Sequence, residues 1–291
     1  MAEREARVVR FRIPARLPPD VLRTFNHLVE RTGLTEKEHA AALCVTEDGR
    51  LTVGRTCEGT KCAAYVGERP SCGSGAIQVG LFHTHPWGAP VWSMGDVLHK
   101  IAGCYHDSNY VFNCLASPAS EYIVCHVLKE RRKDKLSDLY QTLKTYPKAT
   151  PGDFKYTIHK ILPSIIYDED GHLIPENSRE YEEAIRQISL TLFRQYLLGT
   201  AVAFDDVEIE LRKENPVALR EYIDKTITNV LRNTRKKTCD DIGAHFGREA
   251  NILCRVAVDE WIEERRSIIV EQAMEDVLAS LKKEKAEALV R

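Results

Sequence analysis

The hydrophobic pattern of the chain changes character near residue 130. Before it, runs with a period of two alternate with single helical stretches. In the run 8–13 (VVRFRI), Val9, Phe11 and Ile13 fall on one face, which predicts a half-buried strand. Pro18-Pro19-Asp20 opens a helix to about Arg31, with Val21, Leu22, Phe25, Leu28 and Val29 on one face and Gly33 past its end. The apolar run 39–45 (HAAALCV) predicts a strand. Glu47-Asp48-Gly49-Arg50 then turns the chain, and Leu51-Thr52-Val53 returns as the hairpin partner. Residues 55–75, rich in Gly and Cys, read as loop. Ala76–Phe82 is a further strand, and a loop follows to Ser93. Ser93-Met94-Gly95-Asp96 has the S-x-x-D form that caps a helix, here expected to about Tyr105. With strands at 110–116 and 121–128, the pattern is that of a mixed α/β sheet domain.

The charged run KERRKDK, starting at Lys129, opens a stretch that reads almost wholly as helix. Helices are expected at about 134–145, 153–166, 178–198, 216–233 and 248–289, the last broken near Arg266. Ser178 is an N-cap and Gly199 a stop for the long helix. Val207–Leu211 reads as a short strand. No internal repeat or low-complexity tract interrupts the chain. The expected plan is an α/β domain over 1–130 and a helical domain or extension over 131–291.

Composition narrows the function classes. A chain of 291 residues, 43% hydrophobic and 29% charged, is expected to fold. A net charge of −2 argues against a chain devoted to coating nucleic acid. No apolar run reaches the roughly 20 residues of a membrane span, and the charged MAEREARVVRFRIP has no apolar core of a secretory signal. Nine scattered cysteines without such a signal read as mostly reduced, buried thiols in a cytoplasmic protein. Intracellular disulfides are chiefly a hyperthermophile habit.

The chemistry concentrates in residues 81–96 (LFHTHPWGAPVWSMGD). His83 and His85 are two apart, so in extended backbone both imidazoles project to one side. Two converging imidazoles are a natural start for a zinc site. Asp96, in the first turn of the following helix, stands where a carboxylate is electrostatically favoured. Three such ligands leave the fourth tetrahedral position for water, the pattern of catalytic zinc. A general base is then needed to take and return a proton.

H-x-H-P followed, eight residues after the second His, by S-x-x-D resembles the JAMM (MPN-type) zinc metalloprotease motif. That family also carries a Glu at the start of an upstream strand, and Glu38 directly precedes the strand 39–45. The sequence departs from the pattern at Ala41, where Gly is usual, and at Trp92, where many members have Pro. The resemblance spans residues 8–130. It implies a cytidine-deaminase-like MPN fold, with Zn2+ on His83, His85 and Asp96. It also implies Glu38 as general base and Ser93 as a hydrogen-bond partner of the water or developing oxyanion. The implied activity is deubiquitinase-like cleavage of a peptide or isopeptide bond at the tail of a ubiquitin-like or small modifier protein. Processing of a sulfur-carrier protein, and a catalytically weak MPN scaffold with a partner-binding helical tail, are the alternatives.

Other features carry less. Glu36 and Glu47 flank the same strand, but Glu47 lies in the turn, too far along it. Trp87 and Trp92 either line a groove for an extended tail or shield the metal loop. Cys57, Cys62 and Cys72 either bind a structural metal, with a fourth ligand wanting unless Cys104 or His106 approaches, or form a disulfide, or remain thiols. Cys239–Leu253, after the basic run 232–237, faintly resembles a helix-turn-helix, though a packed bundle is the stronger reading and nucleic acid is not an expected partner. Helix 248–289 could join a homodimer or a partner protein.

Overall fold

The computed structural model describes residues 11–59, 72–106, 109–128, 133–145 and 148–290. It is an α/β fold with a long helical C-terminal region. The elements run α1 (Pro19–Thr35), β1 (His39–Val45), β2 (Leu51–Glu58), β3 (Ile77–Thr84), α2 (Met94–His106), β4 (Phe112–Ala116), β5 (Ile123–Val127) and α3 (Lys133–Thr145). Then come α4 (Thr157–Ile161), β6 (Ser164–Tyr167), β7 (Leu173–Ile174), α5 (Arg179–Leu198), α6 (Asp206–Arg212), α7 (Pro216–Phe246) and α8 (Arg248–Val290). The described strands form one mixed sheet in the order β2-β1-β3-β4-β5-β6-β7. β3 and β4, joined through α2, are the parallel pair, and the other neighbours are antiparallel. Gly80 lets this pair close up, since a Cβ there would sit 1.6 Å from the Phe112 carbonyl oxygen.

Alternation along the strands sorts side chains to two faces. Ala41, Leu43, Phe82, Phe112 and Tyr167 meet Leu17, Val21, Phe25 and Leu28 around α1. The Phe25 and Phe82 rings stack with centroids 3.8 Å apart. On the other face, Ala40, Leu81, Leu115, Val124 and Ile166 pack with Val97 and Ile101 of α2 and with the buried stripes of α5, α7 and α8. The sheet is thus covered on both sides, as a fold with a buried parallel pair requires.

Several expected elements change. Of the strand expected over 8–13, residues 8–10 lie outside the described residues and 11–13 are not strand. There the chain leans Phe11 on Phe112, receives a hydrogen bond from Tyr167 Oη on the Pro14 carbonyl, and bridges Arg16 to His172. α1 runs through Gly33 and stops at Glu36, whose left-handed φ is 54°. β2 extends to Glu58, so 55–58 is strand rather than loop. The helix expected over 153–166 breaks up. A short 3-10 turn (Pro151–Phe154) and α4 precede Pro163, which helix cannot accept, and Ser164 starts β6. The sheet therefore draws its last two strands from the part of the chain expected to be almost wholly helix. Val207–Leu211 is helical within α6, because the Asp205 carboxylate caps the Val207 and Glu208 amides. α5 carries the expected Ser178 cap on the Tyr181 amide and ends at Gly199.

α7 and α8 form one long hairpin with only Gly247 between them. α8 continues past Arg266, whose guanidinium pairs with Asp224 of α7. The faint helix-turn-helix is the tip of this hairpin. Residues 241–246 are all buried there, in a packed helical tip. The cysteines also depart from expectation. Cys44–Cys72, Cys114–Cys125 and Cys239–Cys254 are disulfides, Cys57 keeps its thiol, and the buried Cys104 thiol donates to the Tyr110 carbonyl. Cys114 and Cys125 are directly opposed across β4 and β5, and Cys239–Cys254 ties α7 to α8. Cys72 is committed to Cys44, so a Cys57–Cys62–Cys72 metal site does not form; Cys62 lies outside the described residues. No helix among the described residues is long and apolar enough to cross a membrane.

Candidate metal centre

The centre stands at the carboxyl end of β3, beside its parallel neighbour β4, where open α/β sheets usually bind ligands. Side chains alternate across the strand end. Thr84 faces α1, with its hydroxyl 2.9 Å from the His39 amide and 2.5 Å from Thr32 Oγ1. His83 and His85 face the opposite way, toward α2. His85 is fixed by its backbone amide, which donates to the Ala116 carbonyl at 3.0 Å.

Asp96 comes to meet them from the first turn of α2. The expected capping box forms. The Ser93 amide and hydroxyl donate to Asp96 Oδ2 at 2.8 and 2.6 Å, and the Asp96 amide donates to Ser93 Oγ at 3.2 Å. This holds Asp96 Oδ1 3.3 Å from His83 Nε2 and Oδ2 3.3 Å from His85 Nε2. One ligand atom from each of the three residues lies within 4.8 Å of the others, a grouping that can hold a metal ion. His83 Nε2 is buried and makes no hydrogen bond, although it stands 3.3 Å from Asp96 Oδ1. Burial by itself would raise the Asp96 pKa. Its contacts with His83 and His85 outweigh that and hold the carboxyl well below the usual range. The donor set is two imidazoles and a carboxylate with a buried, unmatched nitrogen, which suits a borderline cation such as zinc.

Glu38 sits directly before β1 and is partly exposed. The β1–β3 register pairs Ala40 with His83, and continued by two residues it sets Glu38 opposite His85 on the same face. Glu38 is not one of the three grouped ligands. Ser93 is exposed, its hydroxyl committed to Asp96. The two tryptophans separate. Trp87 is 67% exposed, whereas Trp92 is buried edge-on to His83 at 5.2 Å and stacked on His126 at 4.7 Å.

The loop between His85 and Ser93 is clamped from both parts of the chain. Ser117 Oγ donates to the Gly88 carbonyl at 2.6 Å. From the helical region, Gln195 Oε1 of α5 accepts from the Ala89 amide at 3.3 Å, and His245 Nε2 of α7 donates to the Trp92 carbonyl at 3.1 Å. Gly88 has φ +80°, and a Cβ there would come within 1.9 Å of Gln195 Oε1. Sequence reasoning missed Gln195, His126 and His245, which lie far from the motif. It also missed Lys100 and His99, although both follow Asp96 on α2. His99 is held below the ordinary imidazole range, first by desolvation and then by the charge of His83, against the pull of Asp96.

No family model matches the chain, and no curated protein matches it either.

Proposed function

We propose that this protein is a zinc-dependent hydrolase that cleaves a peptide or isopeptide bond at the C-terminal tail of a ubiquitin-like or small modifier protein. The observation that carries the reading is the convergence of His83, His85 and Asp96, with Ser93 capping the helix that presents Asp96. Three protein ligands leave a tetrahedral ion one open position, as hydrolysis needs. The choice of substrate rests on the resemblance of the H-x-H-P and S-x-x-D spacing to the JAMM motif.

A bound zinc would polarise the scissile carbonyl and acidify water at the site. His83, His85 and Asp96 would hold it. Glu38 takes the proton of the attacking water and returns it to the departing amine, a transfer worth about 10²–10⁴ in rate. Once the Ser93 hydroxyl swings from Asp96, it can donate to the oxygen on which negative charge develops. Exposed Trp87, beside the ligands in sequence, offers the tail an aromatic surface.

The test is hydrolysis of a modifier protein fused through its tail to a reporter, with a sulfur-carrier conjugate assayed in parallel. Zinc-loaded wild type cleaves one of them. Glu38→Gln retains its metal and loses about two to four orders of magnitude in turnover. Undiminished turnover in Glu38→Gln would remove Glu38 from the mechanism. No cleavage of any conjugate by the loaded wild type would leave a metal-binding scaffold.

A further inference from the structure

Behind Trp92, on the side away from the exposed Ser93, lies a second cluster of nitrogen-bearing side chains. Lys100 comes from α2, His126 from β5, Ser164 from β6 and His245 from α7. All four are buried, at most 1% exposed, and Trp92 is 3% exposed. The members are contiguous. Lys100 Nζ lies 5.4 Å from the Trp92 ring centre. Trp92 stacks on His126 at 4.7 Å, and His126 meets His245 at 5.2 Å. Ser164 is the cross-strand partner of His126, so both side chains leave the sheet on one face.

Six polar atoms of this cluster are buried without a hydrogen-bond partner: Lys100 Nζ, Trp92 Nε1, both ring nitrogens of His126, His245 Nδ1 and Ser164 Oγ. Buried polar atoms in folded proteins are nearly always matched, and a group of orphans points to a bound water or ion. The balance of donors decides which. An ammonium offers three hydrogens, and the indole, the hydroxyl and one nitrogen of a neutral His126 offer one each. His245 Nε2 already donates to the Trp92 carbonyl, which leaves Nδ1 as an acceptor in the neutral ring. Among the described residues no carboxylate hydrogen-bonds these atoms, and the group that acts on Lys100 through space is the Cys104 thiol. Asp96, the acid that acts on His126 and His245 through space, is engaged by Ser93, His83 and His85. An ammonium so buried needs a counter-charge.

We propose that Lys100, Trp92, His126 and Ser164 enclose a binding site for a small inorganic anion of the halide class. Desolvation presses the Lys100 ammonium toward its neutral form, and a bound anion would hold it charged. The site joins α2, the metal loop, the sheet and α7, so occupancy would brace the elements that carry Asp96 and Trp92. It is independent of the hydrolase reading, since neither zinc nor turnover enters its test.

The experiment uses chelator-treated full-length protein, melted in sodium bromide and in sodium gluconate of equal ionic strength. Binding to the folded state alone raises the unfolding midpoint by about 2–4 °C for each tenfold rise in bromide above its dissociation constant. Lys100→Met, which keeps the stem and removes the charge, shows no bromide-specific rise. Crystals of the wild type grown in bromide show an anomalous peak among Lys100, Trp92 and His126, a result that needs no variant to fold. Equal midpoints in bromide and gluconate, an unchanged rise in Lys100→Met, or water alone in that density would overturn the proposal.

Discussion

Trp92 separates two histidine clusters that differ in one partner. In front, His83 and His85 converge on Asp96, and the surplus of lone pairs and negative charge suits a cation. Behind, His126 and His245 lie with Lys100, no carboxylate among the described residues hydrogen-bonds their unmatched atoms, and the surplus is of donors. The imidazoles are the same group in both places. The charged neighbour decides which ligand a pair of them can take. Both clusters hang on α2, which carries Asp96 in its first turn and Lys100 one turn later.

The comparison breaks most sharply at Asp96. Asp96→Asn keeps an oxygen to cap α2 and removes the negative charge. A unit charge about 4 Å from another, at an effective dielectric near 20, is worth roughly 4 kcal/mol, or about three orders of magnitude in affinity. Zinc affinity measured by chelator competition should fall by about that factor, and the metal-free protein, which loses the contacts that depress the Asp96 pKa, should also melt lower at neutral pH. An affinity within tenfold of wild type would mean that Asp96 is no ligand.

The front cluster was legible in the sequence because its parts are local. H-x-H needs only an extended strand, and S-x-x-D needs only the first turn of a helix. β1 and the Ser178 cap of α5 were legible for the same reason. The rear cluster was not legible. His126, Ser164 and His245 come together only through sheet order and the α7–α8 hairpin, and nothing in their own neighbourhoods marks them. The disulfides failed likewise: Cys114 and Cys125 look like core thiols until strand register sets them face to face. β6 was within reach of a local argument, since Pro163 forbids the helix expected over 153–166.

A smaller effect tests whether the two clusters are coupled. His245 touches no metal ligand, yet it donates to the carbonyl of Trp92, the residue before Ser93. Partners that orient a metal's surroundings are worth about 10–100-fold in affinity. His245→Leu should weaken zinc by an amount in that range, and His245→Gln, which can restore an N–H, should recover part of it. Equal losses in both variants would assign the effect to packing of the hairpin tip rather than to the hydrogen bond.

The smallest effect isolates the other clamp. Gln195 of α5 accepts one hydrogen bond from the Ala89 amide, and its side chain fills the space over Gly88. In Gln195→Ala the Ala89 amide loses that acceptor, and a neutral hydrogen bond of this kind contributes about 0.5–1.5 kcal/mol net. The cost should appear in denaturant unfolding of the metal-free protein. The loop keeps Ser117 on the Gly88 carbonyl and His245 on the Trp92 carbonyl, so zinc affinity should fall less than in His245→Leu. A larger loss of zinc in Gln195→Ala would reverse the ranking. It would make α5, rather than the α7 tip behind Trp92, the part of the helical region that sets the metal loop.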